Sequence, residues 1–315
     1  MALPDGADWN ADGVPSGTAP LPAAVLDAQL GQIDWSVPPA GSRPLLIKAP
    51  SGVLAGLSMG DPGSPAVVLV PGVMGSKEDF SLLMPLLAAR GYYVLSCDLA
   101  GQYQSAAAGP ENLTPARSRY DYELFLQDLL AILETLGQPA HVLGYSFGGV
   151  VAELGLLRNP ALFRSLALMS APPEPGLAFR SVSVVGRFSP LVSGRVSAGL
   201  ISWGVRMNFA RVPAERMRFV HQRFAITRSQ SVRDIMVLMR HVPDLRARLA
   251  RAGLPKLVAV GERDVWPNRI HAAFASAIGA RLTVYRGGHS PCENAPNQLA
   301  RDLLALYAET EERSG

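Results

Sequence analysis

Lysine occurs three times in this chain (Lys48, Lys77, Lys256), cysteine twice, and no stretch of 18 or more residues is continuously apolar. Each shortage removes a class of protein. Cys97 and Cys292 lie far apart and belong to no CxxC pair or Cys/His cluster, so neither a disulfide framework nor a zinc site is expected. Two free thiols fit a reducing compartment, and a cytoplasmic location is the expectation. The longest apolar runs have strand length, which argues against a membrane span. The opening MALPDGADWN carries acids and no basic stretch ahead of an apolar one, so it does not read as a signal peptide.

What is present is apolar residue in quantity. The 315 residues are 48% hydrophobic and 17% charged, enough for one sizeable core that needs no disulfide or metal. The net charge of +3 is unevenly spread: residues 176–251 hold 14 Arg and no Lys against Glu215, Asp234 and Asp244, a local excess of +11. The remainder of the chain is therefore at −8.

Residues 1–42 are rich in Pro, Gly, Ala and Asp and read as a flexible or surface-draped arm, with a short helix in AAVLDAQLGQIDW. From residue 43 short apolar runs alternate with helical patterns. RPLLIKA and GVLAGLSM read as strands joined by a Pro-Ser-Gly turn; AVVLVPG (66–72) is continuously apolar, as a parallel strand buried on both faces should be. Helices are expected over DFSLLMPLLAARG and DYELFLQDLLAILETLG, the latter with Leu126, Leu129, Leu130, Leu133 and Leu136 on one face. Further strands fall in YYVLSCDL, HVLGYS, SLALMSA, KLVAVGERD and RLTVYRG. Such alternation specifies an α/β fold, a mostly parallel twisted sheet with helices on both faces. Residues 43–173 and 252–315 form this core. Residues 174–251 interrupt it after the sixth core strand and should form a helical, Arg-rich cap, with helices in ERMRFVHQRFA and SVRDIMVLMRHV.

The stretch HVLGYSFGGVVAE (141–153) contains Gly-x-Ser-x-Gly between a strand and a helix. The motif alone is weak evidence, and the chain carries its own control: GLSMG (56–60) also matches, but DPGSP follows and cannot open a helix, so Ser58 is given no role. Ser146 has the strand-to-helix context of a nucleophile elbow. A serine hydroxyl needs a base. His141 opens its strand, far from Ser146; His221 and His241 lie in the cap; His271 sits inside a helix as a packing or surface residue. His289, in YRGGHSPCENAP just after the last strand, is the candidate base. Asp264, ending KLVAVGERD at the same sheet edge, is the candidate acid, with a turn-forming Asp as the bland alternative. The order Ser146, Asp264, His289 suits a Gly-x-Ser-x-Gly enzyme on this sheet. The oxyanion donors expected are the backbone N–H of Phe147 and, from the loop PGVMGS, of Val73, with Met74 as second choice.

With these motifs in place, the chain resembles the α/β-hydrolase superfamily over roughly residues 43–315, in particular its lid-bearing members. PGVMGS, DLAGQYQS, GYSFGG, GERDVWP and GGHSPCENAP fall in that family's order and spacing. Two departures stand out. Pro71-Gly72 replaces a frequent His-Gly, and Ala100, Gln102 and Tyr103 alter the usual D-x-R-G-x-G-x-S loop.

The resemblance implies a serine hydrolase acting without a metal or cofactor, through an acyl-enzyme, on a carboxylic ester of a hydrophobic acyl or aromatic group. Tyr145, Trp266, Trp203 and Met207, together with Phe147, Phe209, Met236 and Met239, are candidates to line an apolar pocket, each with core packing as its bland alternative. The same groups would serve an acyltransferase or thioesterase on a carrier-bound chain, or a C–C bond hydrolase. A non-catalytic ligand-binding member of the fold is the rival from outside enzymology. The arginine excess fits a solvated face, an anionic substrate or carrier, or an anionic membrane surface. No nucleic-acid motif accompanies it. A homodimer is compatible with this composition.

Overall fold

A computed structural model describes residues 22–176 and 214–312. Eight strands form one sheet: β1 (Arg43–Ala49), β2 (Gly52–Met59), β3 (Ala66–Val70), β4 (Tyr93–Cys97), β5 (Ala140–Tyr145), β6 (Phe163–Met169), β7 (Lys256–Gly261) and β8 (Arg281–Tyr285). Their spatial order is β1-β2-β4-β3-β5-β6-β7-β8. β1 and β2 pair antiparallel, as do β2 and β4; every pair from β4 to β8 is parallel. The parallel strands thus deliver all their carboxyl ends to one edge, where a ligand site is expected in such sheets.

The central strands are apolar throughout because both faces are covered. In β3 the side chains alternate: Val68 and Val70 join one core layer, Val67 and Leu69 the other. Helices α3 (Tyr122–Thr135), α4 (Phe147–Arg158) and α8 (Asn268–Ala277) supply the first layer; α2 (Leu83–Ala88) and α10 (Pro296–Glu312) supply the second. Asp121 caps α3, its carboxylate accepting from the Leu124 N–H at 2.8 Å. The single helix expected over 79–91 is divided into a 3-10 turn, Lys77–Phe80, and α2. The division follows from Asp79, whose carboxylate is drawn back to the Ser76 N–H at 3.1 Å and tightens the turn.

Between β6 and β7 lie α5 (Ala214–Ile226), α6 (Ser229–Leu238) and α7 (Arg246–Arg251). They belong to the insertion after the sixth strand. α6 is tied to the core loops: Ser231 Oγ donates to the Ala100 carbonyl at 3.0 Å, and Asp234 accepts from the Tyr120 N–H at 3.1 Å. Before β1, the chain forms α1 (Ala23–Ala28) and then buries Trp35. α9 (Pro291–Asn294) follows β8. Among the described residues no helix is long and apolar enough to cross a membrane.

Candidate active site

The turn after β5 is held in an unfavourable backbone conformation. Ser146 has φ 52° and ψ −118°, a region that side-chain-bearing residues rarely occupy. Tight packing enforces it. A Cβ on Gly144 would lie 2.5 Å from the Gly148 carbonyl oxygen, and one on Gly148 would lie 2.5 Å from that of Pro71. Only glycine at both positions lets β5, the start of α4 and the end of β3 approach so closely. The Ser146 N–H donates to the Met169 carbonyl at 2.9 Å, anchoring the turn to β6. The residue stands at the N-terminus of α4, where first-turn N–H groups have no partner within the helix and the dipole is positive. Ser58, by contrast, is buried mid-sheet in β2, paired with Arg43 and Leu95.

Two neighbouring parallel strands bring up an acid and an imidazole. Asp264 follows β7 with a fully buried side chain; His289 follows β8. His289 Nδ1 lies 2.8 Å from Asp264 Oδ1. Burial pushes the Asp264 pKa up, but the charge and hydrogen bond of His289 outweigh it and hold the carboxyl below its ordinary value. Because a carboxylate can only accept, the proton of this bond sits on Nδ1, so in the neutral imidazole the lone pair is on Nε2. The imidazole is flanked by aromatic rings, Tyr145 with its centroid at 5.4 Å and Trp266 at 5.6 Å. The Tyr145 hydroxyl lies 2.8 Å from Ser290 Oγ, linking the residue before Ser146 to the residue after His289.

The loop after β3 closes the other side. A Cβ on Gly72 would come within 3.0 Å of the Ser146 Cβ, so this loop sits directly against the elbow. Val73 follows, half-buried. The Met74 N–H is already engaged, donating to Gln102 Oε1 at 2.5 Å, with Met74 itself at φ 59°. That bond occupies the N–H of the second-choice donor. Phe147 opens α4; its side chain is fully buried between Tyr122 and Phe125 and so packs the core. Met239 is likewise buried in the core, while Met236 is half-buried. Trp203, Met207 and Phe209 lie outside the described residues.

One neighbour escaped the sequence reading. His271 in α8 is fully buried, with Nε2 3.8 Å from Asp264 Oδ2 and its ring 6.0 Å from Trp266. Burial lowers its pKa to about 4 against the pull of Asp264, so it is neutral at ordinary pH. Two turn residues separate the end of β7 from Asp264, and α8 starts four residues later, which aims its first turn back at the carboxylate. Only that chain reversal, not helix periodicity, could have flagged it. Among the described residues, no group of three or more His, Cys, Asp or Glu is arranged to hold a metal ion.

The sequence pattern of the alpha/beta hydrolase family matches residues 67–302, three quarters of the chain. This chain belongs to the alpha/beta hydrolase family. Human serine hydrolase BPHL is 26% identical over 257 residues, covering 77% of this chain and 80% of its own. Among solved structures, a carboxylesterase of Nitrososphaera gargenis superposes with a TM-score of 0.67 at 18% identity, covering 85% of this chain and all of its own. The thioesterase domain of the curacin biosynthetic pathway gives 0.64 at 18% identity, covering 84% and 99%. These two likenesses speak for the fold alone.

Proposed function

We propose that this alpha/beta hydrolase is a serine esterase in which Ser146 is the nucleophile, His289 the general base and Asp264 the acid that orients it. The hydrogen bond between Asp264 and His289, at the same sheet edge as a strained serine turn, carries this reading. It fixes the imidazole tautomer that can take the Ser146 proton on Nε2. Oγ then attacks the carbonyl carbon, and the backbone N–H groups of Phe147 and Val73 stabilise the oxyanion. The leaving alcohol takes the proton from His289, and an acyl-serine remains. His289 next deprotonates water, which attacks the acyl carbon and releases the acid.

A carboxylic ester with a hydrophobic acyl or aromatic group is the proposed substrate. The Tyr145 and Trp266 rings pack against the His289 imidazole from the core and make the surroundings of the reacting centre apolar. The expected outcome is labelling of Ser146 by a fluorophosphonate, and turnover of p-nitrophenyl esters that peaks at medium chain length. Ser146→Ala should lower kcat by about 10³-fold or more with the fold intact. Absence of an adduct in folded wild-type protein would reject the enzyme reading in favour of a binding protein.

A second reading, a thioesterase or acyltransferase on a carrier-bound acyl chain, draws on the +11 charge excess of residues 176–251, which suits an acidic carrier. Acyl-thioester cleavage outpacing ester cleavage, or ester formation when alcohols are added, would favour it.

A further inference from the structure

The most heavily built polar cluster in the described molecule is not among the proposed reacting groups. Arg216 and Arg223 lie seven residues apart on α5, two turns along one face, and both are nearly excluded from solvent. Arg216 Nη2 donates to Asp79 Oδ1 at 2.7 Å and to Glu293 Oε1 at 2.5 Å, while its Nε donates to Glu293 Oε2 at 3.2 Å. Arg223 Nη1 donates to Asp79 Oδ1 at 2.6 Å and to Ser76 Oγ at 3.1 Å. The Trp35 ring stacks on the Arg216 guanidinium, 4.1 Å from Cζ to centroid. Two arginines thus face two carboxylates in a buried set, with Arg216 Nη1 and Arg223 Nε left without a hydrogen-bond partner among the described residues.

The chain positions of the carboxylates give the cluster its meaning. Asp79 holds the Ser76 N–H with its other oxygen, and Ser76 stands three residues after Val73 in the loop that packs on the elbow. Glu293 stands four residues after His289, in α9. One guanidinium therefore bonds the loop bearing a proposed oxyanion donor and the loop bearing the proposed base. A buried ion cluster is a poor device for stability, since its desolvation cost offsets most of the attraction. Directional bonds from a planar fork do something an apolar contact does not: they fix the distance between the segments they join.

We infer that Arg216 is a positioning residue that sets the two catalytic loops in register and makes that register depend on the seating of α5. This rests on the serine-hydrolase reading. Loss of the fork lets the Val73 and His289 loops drift independently, and small displacements at an acyl-transfer site are costly in rate. Trp35 makes the arm before β1 a participant, because it presses the guanidinium into place from the outer side.

The test uses the full chain. Arg216→Met and Arg216→Lys are compared with wild type on p-nitrophenyl acetate, whose acyl group is too short to need the cap, and on a medium-chain ester. Ser146 labelling by a fluorophosphonate is timed in parallel, and thermal melts verify folding. The expected result is a tenfold or greater fall in kcat on the acetate for Arg216→Met, with KM changed less than threefold. Probe labelling should slow in step, and Arg216→Lys should recover part of the rate. Should Arg216→Met fail to fold, Asp79→Asn and Glu293→Gln keep side-chain volume and are read the same way. Wild-type kcat and labelling rate in the folded variants overturn the inference, as does a loss confined to KM for the longer ester, which would mean that Arg216 only seats the cap. Wild-type protein that neither turns over ester nor takes the probe is a separate result: it rejects the serine-hydrolase reading and the inference with it.

Discussion

Glu153 sits in α4, seven residues after Ser146, 4% exposed and with Oε1 lacking a hydrogen-bond partner among the described residues. Burial raises its pKa from 4.5 to about 8. Between those values the folded protein keeps a proton that the unfolded chain has released, so stability falls as pH rises across the window and is lowest above it. Glutamine imitates the neutral acid. Glu153→Gln should therefore match wild type in thermal melts near pH 4.5 and melt progressively higher than wild type as pH rises to about 8.5. A difference that does not change with pH would show that the carboxyl is not held neutral. His271 illustrates the limit of reading at this scale. Its position in a helix suggested packing, and it does pack, but against the carboxylate that also binds His289.

Helices and loops carried most of what the sequence could reveal. Strand–helix alternation alone puts the ends of β3, β5, β7 and β8 at one sheet edge, so Gly72, Ser146, Asp264 and His289 could be grouped before any coordinates. The pair of glycines around Ser146 was readable for the same reason, because the crowding they relieve is local. No spacing rule joins residues 79, 216 and 293, or residue 27 to residue 297, since those contacts depend on how the elements are stacked. The division of the helix expected over 79–91 is local by contrast, since Asp79 turns one oxygen back to the Ser76 N–H while arginines more than 130 residues away hold the other. Asp27 shows what such a contact does for an element. Oδ1 accepts from the Asn297 N–H and Nδ2 at 2.8 Å, and Oδ2 accepts from the Gln298 N–H and Nε2 at 3.1 and 3.0 Å. It caps the start of α10 from the other end of the sequence. Asp27→Ala should cost about 1–2 kcal/mol in urea unfolding, whereas the surface exchange Asp61→Ala should cost little. Equal midpoints for the two variants would refute the capping role.

At the scale of the whole molecule, acid is a distinct hazard. His141, stacked on Tyr307 and hydrogen-bonded to Ser165 at 2.8 Å, has its pKa lowered to about 3, chiefly by burial; His271 is lowered to about 4. A depressed imidazole pKa contributes stability that is complete above the ordinary value of 6.5 and is lost as pH falls toward the folded value. Each tenfold change in proton affinity is worth about 1.4 kcal/mol, so the two together are worth on the order of several kcal/mol. Glu153 acts in the opposite sense over the same range, so the contribution is read by difference: in chemical denaturation from pH 8 to pH 4, His141→Gln should lose less stability than wild type as pH falls below 6.5. An unchanged slope in that variant would assign acid sensitivity to other groups.

The Asp27 cap also sets a schedule. Its partners are 270 residues downstream, and the carboxylate gripped by Arg216 is nearly as far along. During synthesis the sheet can begin to assemble once β5 has emerged, but Asp27 has no partner to cap until α10 has been made. A nascent chain of this protein therefore completes the second layer of its hydrophobic interior only after the last member of its proposed reaction centre, His289, has already emerged.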